Sequence, residues 1–283
     1  MYDPFNKIVH LPSMEFSECS SSWDIFENPT MAIEMIPSLP PRAASTYVDT
    51  FFSNELASLG TPSNTRLLRL YLGRDLPSTI SQLQPGLRSD LGLDVSRYIR
   101  FSHALQGVAS LPPLADVAYG MGKVLSQMHF GVGIDGMDVE LVLGGDGVHG
   151  VRCWLLDFNQ CERWTIPRPL DMLGRGLATS GHYSQGDLIE GATRLATRIV
   201  ALEHYYPRPH QKLYNDFRNG YLQTVESMLA NHRPREPEVG WLVDAAQISA
   251  AAEAFVARYE AKALEAQETK ARLAARRAKR IVL

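Results

Sequence analysis

A chain of 283 residues with 45% apolar content and a net charge of −3 can bury one large core or two lobes and is too apolar to be disordered. No uncharged apolar run approaches the ~18 residues that span a bilayer. Met1-Tyr2-Asp3-Pro4 lacks the basic-then-apolar pattern of an export signal, so a cytoplasmic protein without membrane contact is expected. The three cysteines, Cys19, Cys153 and Cys161, are odd in number and lack C-x-x-C spacing. That fits a reducing compartment and argues against a zinc finger.

Residues 1–75 are expected to form a small, β-rich N-terminal lobe. Lys7–Leu11 and Ser22–Phe26 read as strands, and Met31–Ile36 as a buried strand closed by Pro37. Residues 40–60 read as a helix with an imperfect stripe of Tyr47, Phe51, Leu56 and Leu59. Leu67–Leu72 reads as a strand leading through Gly73 into an interlobe linker, with the Pro-rich stretch 77–85 as the other candidate boundary. A helical lobe is expected over 76–238. Residues 86–129 are mainly helical in pattern, interrupted at Leu111-Pro112-Pro113.

The stretch from Met121 to Trp164 organises the rest. Leu114, Val117, Met121, Leu125 and Met128 recur at helical spacing and stop at Gly131-Val132-Gly133. Ile134 to Glu140 follows, then the apolar run Leu141–Leu143, a Gly-Gly-Asp-Gly turn at 144–147, and a second strand from Val151 to Leu156 ending on Asp157-Phe158-Asn159. Asp135, Asp138 and Glu140 therefore precede a hairpin and Asp157 follows it. An antiparallel pair brings its first and last residues together. Carboxylates gathered at one place repel, so a cation, a metal or a proton is expected among them.

Beyond the hairpin, Cys161–Asp171 reads as a loop and 170–185 as a Gly/Ser-rich flap. Leu188, Ala192, Leu195, Ile199 and Leu202 define an amphipathic helix, broken by Tyr205-Tyr206-Pro207-Arg208-Pro209. That motif is either an ordered helix–helix connection or an aromatic-plus-Arg nucleotide contact. Leu213, Phe217, Tyr221, Val225 and Met228 mark the next helix, and 233–238 a linker. Residues 239–283 form a C-terminal basic segment, of which 244–280 read as one helix of roughly 50 Å. From Lys270 on there are six basic residues and no acid: Lys270, Arg272, Arg276, Arg277, Lys279 and Arg280. The remainder carries 22 basic against 31 acidic residues, a body of −9 beside a tail of +6. Such a tail is either a solvated helix end whose cations complement the helix dipole or a phosphate contact.

The order helix, Asp135, an acidic residue five positions on, hairpin, then Leu155-Leu156-Asp157-Phe158 resembles the catalytic half of a protein-kinase-like or aminoglycoside-phosphotransferase-like fold. That resemblance implies an α+β, two-lobed architecture with a reduced N-lobe and a mainly helical C-lobe. In such folds the first Asp handles the acceptor hydroxyl, an Asn follows, and the Asp of the D-F turn holds magnesium. Here the Asn position is Glu140, Gly133-Ile134 replaces the usual His before the Asp, Glu34 stands where the phosphate-binding Lys would be, and no glycine precedes Gly60. These departures speak against ATP, although Asp135 and Asp157 could hold magnesium. Four further patterns, over Met121–His129, Ile134–Leu143, Trp154–Cys161 and Tyr205–Pro209, resemble a fungal family of unknown function labelled "zinc finger protein". The resemblance covers roughly residues 30 to 230. That family resembles fungal arginine-containing cyclodipeptide synthases.

The resemblance implies an enzyme that joins arginine and a second amino acid, both drawn from aminoacyl-tRNA, into a cyclo-Arg-Xaa diketopiperazine in secondary metabolism. An aminoacyl ester is already activated, which removes the need for ATP; no resident cofactor or metal is expected. A guanidinium presents a planar fork of donors suited to paired carboxylates. The expected catalytic residues are Asp135, Glu140 and Asp157, with Glu34, Asp138 and His129 binding substrate and the six basic tail residues binding tRNA. Glu34 has solvent exposure as its plain alternative, His129 a structural role, and Cys161 is either a nucleophile or a packing residue. A kinase-like small-molecule phosphotransferase and a non-catalytic kinase-like binding module are the other two function classes.

Overall fold

The computed structural model describes residues 36–51, 67–76, 92–148, 150–162, 164, 185–231 and 245–281. The expected strands before residue 36, Glu34, the 77–85 boundary, most of the 170–185 flap and the 233–238 linker lie outside these residues. The described part is mixed α+β. It forms two compact units, each assembled from separated stretches of chain: one from the described residues within 1–70, 77–112 and 141–155, the other from those within 71–76, 113–140 and 156–283.

The first unit holds helix α1 (Pro41–Phe51), strands β1 (Leu68–Leu70) and β2 (Gly92–Leu93), helix α2 (Val95–Ala104), and most of β3 (Glu140–Gly145) and β4 (Val151–Leu156). The sheet runs β2-β1-β3-β4. β1 pairs parallel to β2, with Leu70 opposite Leu93, and antiparallel to β3, with Leu68 opposite Leu143. The β2 strand falls where helix was expected, because Gly92-Leu93 is long enough only to extend the edge of β1. Asp94 then starts α2: its carboxylate accepts the N–H of Arg97 at 2.8 Å, a side-chain N-cap. Tyr47 of α1 meets Phe101 of α2 edge-on at 5.4 Å.

Gly144 and Gly145 belong to β3, not to the turn. The chain at Pro37-Ser38 runs hard against them: Gly145 N–H donates to the Pro37 carbonyl at 2.8 Å, and a Cβ at Gly145 would collide with the Ser38 carbonyl. The turn starts instead at Asp146, whose Oδ1 accepts the N–H groups of Val148 and Gly150, each at 2.9 Å.

The second unit holds α3 (Leu114–Ser126), a π-helical turn (Gln127–Val132), a 3-10 turn (Phe158–Gln160), α4 (Gln185–Leu202), α5 (Tyr214–Asn231) and α6 (Ala245–Ile281). α3 and α5 cross at a mutual pair of glycines. A Cβ at Gly122 would strike the Phe217 carbonyl, and one at Gly220 the Tyr119 carbonyl. α6 packs through Ile248, Ala251, Phe255, Tyr259 and Ala263, all buried; its residues from 264 to 276 are exposed. The stripe expected on α4 is buried except for Leu202, which is 60% exposed.

Candidate functional site

The site lies in the second unit, where the helix ahead of Asp135 ends. The π-helical turn closes on Gly133, left-handed at φ 78°, and Ile134 N–H reaches back to the Met128 carbonyl at 2.9 Å. A π turn admits one more residue than an α turn and often marks a functional position. Here it turns His129 inward among the rings of Phe130, Trp164, Tyr221 and Phe255.

His129 is fully buried. Its Nε2 lies 3.2 Å from the Asp135 carbonyl and its Nδ1 2.8 Å from the Tyr221 hydroxyl. A carbonyl only accepts, so Nε2 carries the proton and Nδ1 accepts from Tyr221. Burial pushes the imidazole pKa down to about 3, so it stays neutral. Both nitrogens are engaged within the fold. His129 thus acts on the site by fixing the Asp135 backbone.

Asp135 is the centre of the arrangement and is fully buried. Its Oδ1 accepts the N–H groups of Met137 at 3.2 Å and Glu162 at 2.9 Å, while its own N–H donates to the Glu162 carbonyl at 2.9 Å. The chain after the hairpin therefore returns to Asp135, but the residue opposite it is Glu162. Its Oδ2 faces Nη1 of Arg198 on α4 at 3.3 Å. The angle misses hydrogen-bond geometry, so Oδ2 is ion-paired yet carries no directed hydrogen bond. Arg198 Nη1 also lies 3.4 Å from Glu162 Oε2.

Two further carboxylates stand close by. Asp138, half-buried and left-handed at φ 61°, donates its backbone N–H to Glu203 Oε1 at 3.0 Å. Glu203 is buried. Burial, then the charges of Asp138 and Asp135, raise its pKa, against the Asp138 N–H and the Arg208 charge, which lower it. Cys161 lies within the field of the same three acids. Burial first, then Asp135, Asp138 and Glu203, push its thiol up to about 11; the thiol points to the Met137 carbonyl at 3.6 Å. A thiol with that pKa is protonated at neutral pH and is not a poised nucleophile.

Glu140 is buried at the start of β3. Asp157 is half-buried, left-handed at φ 66°, and leads the 3-10 turn. Lys270, Arg272 and Arg276 stand exposed on α6, where Arg272 pairs with Glu268 at 3.3 Å; α6 carries the backbone of Arg277, Lys279 and Arg280. The Tyr205–Pro209 motif is an ordered connection. The buried Arg208 guanidinium donates to the carbonyls of Val200 and Glu203 at the end of α4 and to the Tyr259 hydroxyl of α6. A cation capping the last carbonyls of a helix is favourable there.

A family model described as zinc finger protein matches residues 153–233. Neither the curated proteins nor the solved structures yield a match. The side chains in the described part of that match do not fit zinc. Cys153 is fully buried in β4, its thiol pushed far up by burial, and Cys161 bonds to a carbonyl. Among the described residues no group of three or more His, Cys, Asp or Glu is placed to hold a metal. Asp135 is a poor seat for magnesium as well, since Oδ1 already accepts two N–H groups and Oδ2 faces the positive charge of Arg198.

Glu203, Glu162 and Arg198 are the residues that sequence reasoning missed. Glu203 did carry a signal. A carboxylate just past the last residue of α4 faces the negative end of the helix dipole, an unfavourable position without local compensation; the Arg208 side chain, held at the same carbonyls, supplies it. Nothing in the pattern singles out Arg198 or Glu162, since their pairing depends on the return of the chain to Asp135.

Proposed function

We propose that the chain is an aminoacyl-tRNA-dependent cyclodipeptide synthase that joins arginine to a second amino acid, on a two-lobed kinase-like scaffold of the fungal family its motifs resemble. The observation that carries this reading is the Asp135 carboxylate: buried, held in place by two N–H groups, and turned towards a guanidinium with Asp138 and Glu203 nearby. Such a group of carboxylates suits a cationic side chain and an α-ammonium group and repels a triphosphate.

Each amide bond forms when a neutral α-amine attacks the carbonyl of an aminoacyl ester. The C–N bond forms, the C–O bond to ribose breaks, and the ribose oxygen takes up the proton that the amine gives up. Two such steps close the diketopiperazine ring and release two tRNAs. An α-ammonium group titrates near ~8, so a nearby carboxylate must accept its proton first. Glu203, whose pKa is raised, is better matched to that exchange than an ordinary carboxylate. The rest is positioning. Charged tRNA is supplied in the cytoplasm, and the basic end of α6 offers phosphates a contact that the acidic body does not.

The test is to incubate the pure protein with arginyl-tRNA and a mixture of other aminoacyl-tRNAs and to read products by mass spectrometry. A cyclo-Arg-Xaa product that disappears with RNase and is indifferent to ATP is expected. ATP hydrolysis or a phosphorylated product would favour the phosphotransferase class. No turnover, with partner binding altered by Asp135→Asn, would favour the binding module.

A further inference from the structure

We propose that the Arg198 guanidinium marks a guanidinium subsite walled by Asp135 and Glu162, which the arginine side chain of the substrate enters by displacing Arg198. This deepens the synthase reading and rests on it for the identity of the ligand. The two partners of Arg198 differ sharply in exposure: the Asp135 side chain is 1% exposed and that of Glu162 70%, with Arg198 between them at 48%. A carboxylate as deep as Asp135 must have a cation near it whether or not substrate is bound, because an uncompensated buried charge is strongly destabilising. Its Oδ1 is already taken by two N–H groups, so the cation belongs at Oδ2.

Arg198 fills that place loosely. One nitrogen, Nη1, serves both acids, at 3.3 Å and 3.4 Å. Neither pair has the two parallel bonds that make guanidinium–carboxylate pairing strong. Arg198 is a long side chain, half exposed on α4, so its head group can move into solvent once another cation stands at Oδ2. A substrate guanidinium that replaces it leaves the charge at Oδ2 unchanged and can align both of its nitrogens. A neutral side chain that displaces Arg198 leaves Asp135 without a cation. Two bonds between Asp135 and Glu162, one from the Asp135 N–H to the Glu162 carbonyl and one from the Glu162 N–H to Asp135 Oδ1, keep the two walls in register while the occupant changes. Competition from Arg198 lowers the apparent affinity of every ligand of this subsite by the fraction of time it is occupied.

The proposal is tested by calorimetric titration of the full chain with L-arginine amide, which carries the guanidinium and the α-amine but no nucleic acid. Arg198→Met is expected to bind it at least tenfold more tightly than the wild type, and Asp135→Asn to lose binding. L-citrulline amide, neutral and nearly isosteric, should bind at least tenfold more weakly than arginine amide to both wild type and Arg198→Met. Should Arg198→Met fail to fold, Arg198→Lys, which keeps the charge and loses the fork, should give a smaller gain of the same sign. Equal or weaker binding of arginine amide by the Arg198 variants overturns the displacement. Equal affinity for the two amides, or no binding of arginine amide at all, overturns the subsite. The synthase reading fails separately, by the absence of cyclic product from wild type with charged tRNAs, and arginine-amide binding would then still establish the subsite.

Discussion

His129 commits both ring nitrogens to the fold, and the consequence is measurable in acid. Its pKa is about 3 in the folded chain against about 6.5 in an unfolded one. Only the unfolded state takes up the proton between those values. The stabilising contribution is therefore complete above pH 6.5 and is lost as pH falls towards 3, at up to ~1.4 kcal/mol per pH unit. His129→Gln should show a shallower fall in Tm between pH 7 and pH 4.5 than the wild type; parallel curves would refute the assignment. Asp135→Asn should cut cyclic product at least tenfold with the fold intact by circular dichroism, and unchanged yield would remove Asp135 from the pocket. Cys161→Ser should keep yield within about twofold, since a thiol raised to about 11 is hardly ionised at pH 7; a complete loss would restore it as a nucleophile. At this scale the sequence exposed Asp135 and Asp138 through their spacing ahead of the hairpin. It could not rank them, because rank follows from burial and from which atoms of Glu162, Met137 and Arg198 reach each oxygen.

At the scale of elements the helices were the legible part. The stripes of α4 and α5 and the long Ala-rich α6 follow from apolar spacing alone, and they emerge near their expected bounds. β2 did not, since two residues extending an edge carry no periodic signal. Nor did the placement of Gly144-Gly145 inside β3, which depends on a distant segment lying against them. Glycine inside a helix has a similar ambiguity, and Gly122 resolves it by contact. A methyl there meets the backbone of α5, so Gly122→Ala should destabilise by about 1–3 kcal/mol or more, a drop of several degrees in Tm. Gly131→Ala is the control: its Cβ would meet Met228 Sδ at an ordinary 3.6 Å, and Tm should barely move. Equal effects of the two would mean that the close crossing of α3 and α5 is absent in solution.

For the molecule as a whole, the division of charge is the property that sequence alone displays: −9 on the body and +6 on the last fourteen residues. Removing residues 270–283 should weaken tRNA association steeply at low salt and little at high salt, because the contribution is counterion release. Equal affinity at 50 mM salt, measured by filter binding, would leave the tail a solvated helix end. The assembly of each unit from separated stretches was not legible. Hydrophobic periodicity reports which face of an element is buried, not what buries it, and residues 71–76 join the second unit through backbone bonds from Leu72 and Gly73 to Tyr205 and His204.

The contact between Tyr259 and Arg208 joins distant parts of the chain. Tyr259 lies on the same helix as the basic tail residues, eleven residues before Lys270, and its hydroxyl accepts from the guanidinium that also donates to the Glu203 carbonyl. One guanidinium thus ties α6 to the backbone of Glu203, so loss of the Tyr259 hydroxyl would leave the Arg208 guanidinium without its partner on α6.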